Sequence, residues 1–368
     1  MSDDSAGPTR LPLAPADGAA RPPLSERLAA RVAPAELVEP DGDRLRCVAC
    51  AHRCSLSEGK VGACGVRFVR DGALRAPFGY VARRNARAVE TNTVFHVRPG
   101  ALSLTFGMYG CDLRCPYCHN WRTSQALREG VEAEHPVDVT AAALVDEAVA
   151  AGCEVLCSAY NEPMITAEWA RSVFSEARAR GLATALISDG HTTREALAYL
   201  RPVTDVFRVD LKAFDERGYR ALGGSLAPVL DAIIEARALG YWVEVVTLVV
   251  PGFNDDLGAL REAARALAAV DPSMPWHLNA YQPRYKLAGT TPRAPAITMV
   301  SAAGMAYAQG LSFVYVGNVG AEARELGHTR CPRCLATVVE RDDYRAVFVA
   351  SPRGECPGCG ERVPGVWR

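Results

Sequence analysis

The sequence lacks a long apolar run, a secretion signal and an excess of either charge. No apolar stretch approaches the roughly 20 residues of a membrane helix, and Met1–Asp4 offer neither a basic start nor an apolar signal core. A formal charge of -1 provides no basic surface for nucleic acid or for an anionic membrane. We therefore expect a globular, cytoplasmic protein whose partners are small molecules or proteins, not nucleic acid or membrane.

Large apolar side chains are scarce in residues 1–25, which are rich in Ala, Pro and Gly. This composition predicts a disordered tail, because such a segment cannot offset the entropy lost on ordering. The whole chain is 49% apolar, enough for one large core with small appendages. Residues 26–100 are expected to form a small amino-terminal, cysteine-rich module with a hairpin around Arg70–Gly72.

Short apolar runs alternate with longer amphipathic runs over residues 101–318. The pattern predicts an α/β fold, a partial (β/α)6 barrel of the TIM type. Gly152, Gly181 and Gly240 are placed where helices commonly end. The six predicted strands, with a further edge strand at Leu311–Val316, are Leu102–Phe106, Glu154–Ser158, Leu182–Ser188, Val206–Leu211, Val243–Val250 and Trp276–Ala280.

Cysteine, in contrast, is abundant. Of 13 cysteines, 11 fall in three tight groups, an arrangement typical of metal ligation in a reducing compartment. The other two, Cys153 and Cys157, are expected to be small apolar residues of the core.

The central group, Cys111, Cys115 and Cys118, has the spacing C-x3-C-x2-C and directly follows the first predicted strand. Three thiolates would leave one iron of a four-iron cluster open to a small molecule, unlike the all-cysteine ligation of a ferredoxin. A zinc site or incidental thiols are the alternatives.

With Tyr117 just before the third cysteine, this loop resembles the cluster loop of radical S-adenosylmethionine (SAM) enzymes. The resemblance implies a 4Fe-4S cluster that binds SAM through its free iron. It also implies that a reduced cluster cleaves SAM to a 5'-deoxyadenosyl radical, which abstracts hydrogen from a substrate. The implied function is that of a radical SAM oxidoreductase, in which the catalytic groups are the cofactors.

Resemblance to the activating enzymes of glycyl-radical enzymes, such as pyruvate formate-lyase, implies a set of SAM-binding residues near the carboxyl ends of the strands. Glu162, in Tyr-Asn-Glu-Pro, would accept from the SAM ammonium, and Asp189 stands where the family often has Asn. The ordinary alternatives are a helix-starting acid for Glu162, a solvated side chain for Lys212 and a structural histidine for His277. The implied set is Tyr117, His119, Glu162, Ser188, Asp210, Lys212 and His277.

The amino-terminal group consists of Cys47, Cys50, Cys54 and Cys64. Thiolate sites favour zinc or iron–sulfur over magnesium or calcium, and the spacing does not choose between a zinc knuckle and a second cluster. Zinc is slightly favoured because small modules often need a metal to fold. His52 could replace a thiol.

The carboxy-terminal group, over residues 328–368, consists of two C-x2-C pairs. Such pairs are typical of a zinc ribbon or a rubredoxin-like module, with structural zinc favoured over iron. The ligands would be Cys331, Cys334, Cys356 and Cys359.

Further motifs resemble the radical SAM component of the AmmeMemoRadiSam system, namely Glu58–Arg67, Phe95–Gly100 and Tyr315–Val319. That resemblance implies Ammecr- and Memo-domain proteins as partners, and a flavodoxin or ferredoxin as the one-electron donor. The substrate is not implied. Two other functions remain open: a metal-binding scaffold or electron carrier with a silent SAM site, and a zinc-ribbon nucleic-acid factor, which the charge balance disfavours.

Overall fold

The computed structural model describes residues 22–130 and 135–368. Residues 1–21 of the predicted tail lie outside the described residues. The first helix, α1, begins at Leu24. In these two ranges, no helix combines the length and the apolar composition that crossing a bilayer requires.

The amino-terminal part is built of short strands. β5 and β6 form the antiparallel hairpin predicted around Arg70–Gly72, and β2, β3 and β4 form a second small sheet. This second sheet brings Cys47 to the end of a strand. The elements are α1 (Leu24–Ala29), β1 (Val32–Pro34), β2 (Val38–Asp41), β3 (Arg44–Cys47), β4 (Ser55–Leu56), β5 (Phe68–Arg70), β6 (Ala73–Pro77), β7 (Tyr80–Val81) and β8 (Arg83–Ala88).

Strands and helices then alternate as the apolar pattern predicts. The strands are β9 (Leu102–Gly107), β10 (Val137–Asp138), β11 (Cys153–Ser158), β12 (Ala183–Ser188), β13 (Val206–Asp210), β14 (Trp242–Val249), β15 (Trp276–Ala280) and β16 (Val314–Gly317). The helices are α2 (Trp121–Ser124), α3 (Ala126–Glu129), α4 (Ala141–Ala150), α5 (Ala167–Ala179), α6 (Arg194–Leu200), α7 (Glu216–Leu222), α8 (Ala227–Ala238), α9 (Leu257–Val270) and α10 (Ala296–Ala308).

Local signals fix several helix ends. The hydroxyls of Thr140 and Thr193 accept backbone N–H groups at the starts of α4 and α6, which satisfies donors that lack a helical partner. Gly152, Gly181 and Gly240 adopt positive φ just after α4, α5 and α8. The predicted role of these glycines as helix stops is therefore confirmed.

The main sheet has eight strands in the order β16-β15-β14-β13-β12-β11-β9-β8. The other seven strands of this sheet run parallel, and β8 adds to β9 in the antiparallel sense, whereas β10 lies outside this sheet and pairs with β7. All parallel strands thus end on one rim, where the loops that follow them meet. The predicted α/β fold is confirmed, with β16 at the expected edge and β8 as an edge strand that the pattern did not indicate.

The segment after β8 fills part of the sheet's concave side. Val89, Val94 and Val97 are fully buried and pack on Val155 of β11 and Val206 of β13. These valines lie at the end of the sheet opposite the rim, because Val155 and Val206 are near the starts of their strands.

The carboxy-terminal part is a small antiparallel sheet, β17 (Thr329–Arg330), β18 (Thr337–Asp342) and β19 (Arg345–Val349). It packs on the main sheet near β15 and β16 and on the segment after β8. Arg341 donates to the Phe95 carbonyl at 2.7 Å, and the Tyr344 hydroxyl lies 3.1 Å from Asn279 Oδ1 and 3.2 Å from Asn318 Oδ1. The hairpin β18–β19 thus bridges the segment after β8 and the ends of β15 and β16.

His96 ties these parts together and should make stability depend on pH. Its Nδ1 donates to the Pro364 carbonyl at 2.7 Å, and its Nε2 accepts from the Tyr315 hydroxyl at 2.6 Å. Burial lowers the pKa of His96 to about 4, although Glu244 opposes the shift. Because the unfolded chain binds a proton near pH 6.5 and the folded chain does not, unfolding free energy should fall by about 3 kcal/mol between pH 7 and pH 4.

Thermal unfolding of the wild-type chain and of His96→Gln across this pH range tests the point. The variant starts less stable but should lose less of its stability on acidification. Equal slopes in the two chains would contradict the assignment.

Candidate active site

The loop after β9 carries the three predicted cluster ligands and is held mainly through its backbone. Gly110 has a φ of 95°, and a Cβ there would lie 2.9 Å from the Cys64 carbonyl oxygen, so only glycine fits. Arg128 donates to the carbonyl oxygens of Cys111 at 2.6 Å and Leu113 at 2.8 Å. These bonds fix the loop backbone without using the cysteine sulfur atoms.

The three thiols lie at the rim and form no disulfide. Cys115 is 8% exposed, and Cys111 and Cys118 are half-buried. In the described part of the chain, the three sulfur atoms do not form one group within 4.8 Å, although Cys111 Sγ lies within that distance of carboxylate oxygens of Asp112 and Asp189. This wider placement suits a cluster, in which each iron takes its own thiolate, better than a single ion.

Glu162 is the centre of a hydrogen-bond group at the same rim. It is 2% exposed, and its Oε1 accepts from the Ser188 hydroxyl at 2.8 Å and from the Met164 amide at 3.0 Å. Its Oε2 accepts from the Asp189 amide at 2.7 Å. Glu162 thus caps the short 3-10 helix Pro163–Thr166, as the ordinary interpretation predicted, and also joins the loops after β11 and β12.

Asp189 connects this group to the thiols. Its Oδ2 lies 3.7 Å from Cys111 Sγ, and its Oδ1 accepts from the His191 amide at 3.0 Å. Burial, followed by the nearby Asp112, raises the pKa of Asp189 to about 7, and burial and Asp189 raise the pKa of Glu162. Within the described ranges, neither carboxylate forms an ion pair with Lys, Arg or His.

A second group of polar side chains, centred on Asp112 and His191, contacts the loop after β9. Asp112 Oδ2 lies 2.9 Å from His191 Nδ1, and the Asp112 carbonyl lies 3.2 Å from His52 Nε2. His191 Nε2 is in turn 3.3 Å from the Ser225 hydroxyl. The ring of His52 therefore links the amino-terminal cysteine group to the loop after β9. Its Nε2 contacts the Asp112 carbonyl and not one of the neighbouring thiols.

Asp210 and Lys212 stand at the end of β13. Lys212 Nζ lies 2.7 Å from Asp210 Oδ2, and Arg208 contacts the other carboxylate oxygen. The Lys212 side chain is largely buried, and its charge acts on both Cys115 and Asp189. The structure therefore brings Asp210 and Lys212 to the thiol loop. The alternative interpretation, a solvated Lys212 side chain, does not fit its burial.

The two aromatic residues of the loop have different surroundings. Tyr117 is buried with its ring 5.5 Å from that of Phe253, in the loop after β14. His119 is exposed, and its ring lies near the backbone of Gln282, after β15. Tyr117 thus faces the protein interior, whereas His119 lies at the outer rim.

His277 is not brought to this group. Its Nε2 lies 2.7 Å from Glu244 Oε2, and its ring stacks on Tyr315 at 4.9 Å. Glu244 also accepts the Phe95 and His96 amides, so His277 belongs to the buried network beneath the carboxy-terminal hairpin. These contacts correspond to the structural alternative for this histidine.

Asp112, Asp189 and His191 contact the candidate site, but the resemblance did not include them in the SAM-binding set. A signal was present, because Asp112 lies inside the cysteine motif and Ser188-Asp189-Gly190-His191 follows a predicted strand. Their position at the carboxyl ends of strands would have identified these residues, whereas the resemblance to the activating enzymes did not.

A cavity of about 290 Å³ opens on the same rim, beside the last two parallel strands. Gln282, Arg293 and Asn318 line it from the main sheet, and Asp343 and Tyr344 line it from the carboxy-terminal hairpin. Since Gln282 also lies near His119, the cavity adjoins the thiol loop.

The four carboxy-terminal thiols converge on one point. All their sulfur atoms lie within 4.8 Å of one another, with Cys331 3.6 Å from Cys359 and Cys334 3.4 Å from Cys356. Zn–S bonds of 2.3 Å in a tetrahedron place sulfur atoms about 3.8 Å apart. The donor set therefore fits a single tetrahedral ion.

The amino-terminal thiols lie against the loop. Cys47, Cys50 and Cys64 are buried, and Cys54 is half-buried. Cys50 forms a backbone bridge with Thr192 beside the candidate site. Among the described residues, these four sulfur atoms do not form a group within 4.8 Å.

Comparisons with known proteins agree with this geometry. Residues 106–264 match the family model described as the Radical SAM superfamily. The chain is 30% identical over 327 residues to the uncharacterized protein MJ0808 of Methanocaldococcus jannaschii, covering 88% of this chain and 96% of that one. It is 31% identical over 170 residues to the pyruvate formate-lyase 1-activating enzyme of Escherichia coli K12, covering 43% of this chain and 65% of that one.

Among solved structures, a radical SAM methyltransferase from Sphaerobacter thermophilus has a TM-score of 0.49 and 14% identity, with 78% of each chain covered. The relationship to MJ0808 extends over nearly the full length of that protein, and the family model covers β11 to β14 with the thiol loop. The chain therefore carries a radical SAM domain, matched over residues 106–264.

Proposed function

We propose that this chain binds SAM at the rim beside the thiol loop and cleaves it reductively to a 5'-deoxyadenosyl radical that abstracts a substrate hydrogen. The radical SAM domain implies an enzyme with a 4Fe-4S cluster and SAM. Cys111, Cys115 and Cys118 would hold the cluster, which supplies the electron that breaks the sulfonium bond. The protein's own task is to bind SAM, orient it and exclude water.

The observation that carries the proposal is the carboxyl pair Glu162 and Asp189. Both are buried next to Cys111, and no cationic side chain pairs with either in the described residues. Both carboxylates accept hydrogen bonds, but burial still disfavours their negative charge, so a cation bound beside them would be stabilised. The ammonium group of SAM is a cation of suitable size, and the bond from Ser188 keeps Glu162 oriented toward the ligand's side of the rim.

Other residues at the rim fit the same ligand. Asp210 and Lys212 would face the polar end of SAM or the substrate, since Lys212 acts on Cys115. Tyr117, packed on Phe253, would offer its ring beside the adenine. The cavity next to Gln282 provides room for a second substrate between the rim and the carboxy-terminal hairpin.

The carboxy-terminal thiols would hold structural zinc, which the sulfur separations support. The reaction class we propose is an oxidoreductase like the activating enzymes, on the strength of the distant homology to pyruvate formate-lyase 1-activating enzyme. Ammecr- and Memo-domain proteins are the proposed partners, with a flavodoxin or ferredoxin as electron donor in the cytoplasm, where thiols stay reduced.

Anaerobically reconstituted protein, given dithionite and SAM, should release 5'-deoxyadenosine. Glu162→Gln keeps one oxygen for the Ser188 hydroxyl but loses the charge that meets the ammonium. Since a hydrogen bond to a charged group contributes about 1.5–3 kcal/mol, half-saturation should require about 10- to 150-fold more SAM. The iron content should not change.

Glu147→Gln, an exposed carboxylate on α4 remote from the rim, is the matched control and should bind SAM as the wild type does. If wild-type protein with full iron released no 5'-deoxyadenosine, the chain would be a metal scaffold or electron carrier. Unchanged SAM affinity in Glu162→Gln would remove Glu162 from the site.

A further inference from the structure

The amino-terminal thiols differ from the carboxy-terminal ones in how they are arranged. The carboxy-terminal sulfur atoms are 3.4 and 3.6 Å apart in pairs, close to the about 3.8 Å that tetrahedral zinc imposes. In the described chain, the sulfur atoms of Cys47, Cys50, Cys54 and Cys64 do not converge in this way. They share this wider arrangement with the three thiols of the loop.

The four thiols nevertheless form one site. Cys47 interacts electrostatically with both Cys50 and Cys64, which lie together in the protein interior. Backbone and side-chain N–H groups point at the sulfur atoms: the Ala63 amide lies 3.4 Å from Cys54 Sγ. Such bonds stabilise thiolates around a metal centre and tune the potential of iron–sulfur clusters.

The site also adjoins the loop directly. The Arg128 guanidinium donates to the carbonyl oxygens of both Ala63 and Cys111, and the Cys64 carbonyl packs on Gly110. The two groups of thiols are therefore joined through a shared guanidinium and a backbone contact. By contrast, Cys54 is only half-buried and marks the side of the site nearer to solvent.

We propose that Cys47, Cys50, Cys54 and Cys64 hold a second four-iron cluster, through which an electron enters the loop. One thiolate per iron accounts for the spread of the sulfur atoms, which a single zinc ion does not. A low-potential one-electron carrier of the flavodoxin or ferredoxin class loses one electron to this site, and the electron passes to the loop. The electron-entry role rests on the proposed function, whereas the identity of the cluster does not.

Counting metal and sulfide in the full-length wild-type chain, after anaerobic reconstitution, tests the cluster. Two four-iron clusters and one zinc ion give about eight iron, about eight acid-labile sulfide and about one zinc per chain. About four iron, about four sulfide and about two zinc would overturn the proposal.

Two variants show which group of thiols holds which iron atoms. The triple change Cys111→Ala, Cys115→Ala and Cys118→Ala should retain about four iron and, after reduction, a cluster signal in electron paramagnetic resonance spectra. Cys47→Ala with Cys50→Ala should retain the loop's iron instead. If this second variant does not fold, as circular dichroism would show, the triple variant and the wild-type counts still decide the question.

Electron paramagnetic resonance also tests whether the two clusters lie close together. The spectrum of the fully reduced wild type should be broadened relative to the sum of the two single-site spectra, because two paramagnets lie close together. A simple sum would overturn the electron-entry role. Absence of 5'-deoxyadenosine from a chain with about eight iron would instead sink the proposed function and leave the second cluster standing.

Discussion

A Cys115→Ala chain, reconstituted with iron and sulfide, is expected to release no 5'-deoxyadenosine above the protein-free background. Cys115 is the middle thiol of the loop and the most buried of the three. Removing it leaves two thiolates where a site-differentiated four-iron cluster needs three. The expected loss is complete rather than partial, because no reductive cleavage of SAM occurs without the cluster.

Cys153→Ala is the matched control for this experiment. Cys153 is also a buried, unpaired thiol, but it begins β11, at the end of the sheet opposite the loop. This variant should retain the wild-type rate and iron content, apart from a small loss of stability from the missing sulfur atom. Equal product from the Cys115→Ala and wild-type chains would exclude this loop as the cluster site.

Cys356→Ser is expected to release the metal of the carboxy-terminal module and to lower the melting temperature by about 10 °C or more. Cys356 is buried among the three other thiols, and with Cys331 it belongs to the apolar cluster through which the small sheet packs on Phe313 and Tyr315. Binding of structural zinc supplies about 10–16 kcal/mol in small zinc-finger modules. Without the ion, the four thiols no longer tie the turn between β17 and β18 to the segment after β19.

The loss should extend into the main sheet because the module supplies buried contacts there. Arg341 pairs with Glu90 at 3.8 Å, both fully buried, and leaving either charge without its partner is costly. Tyr344 would also leave the cavity beside the rim. Substrate turnover should therefore fall, while SAM binding at the proposed site beside Glu162 and Asp189 should persist.

Zinc content, melting temperature and limited proteolysis of the module check this expectation. Cys153→Ser changes the same atom in a thiol outside the metal sites and serves as the control. A Cys356→Ser chain with full zinc content and a wild-type melting temperature would show that the four thiols do not hold a structural ion.

Much of the fold follows from short-range patterns in the chain. The alternation of apolar and amphipathic runs predicted the parallel strands, and Gly152, Gly181 and Gly240 end helices as expected. The direction of each strand then places the loop cysteines, Glu162, Ser188 and Asp210 on one rim. The physical reason is general, because the carboxyl ends of parallel strands must meet at one edge.

The sequence by itself also determined which thiols group together, since tight spacing limits how far cysteines can separate. The tertiary structure alone decided what each group contacts. Asp189 reaches Cys111, His52 reaches Asp112, and His277 turns to Glu244 rather than to the loop, through contacts between residues distant in the chain. Such contacts depend on how strands register and how modules pack, which local spacing does not encode. The same holds for the sulfur separations, which distinguish a point-like site for one ion from the wider sites beside the loop.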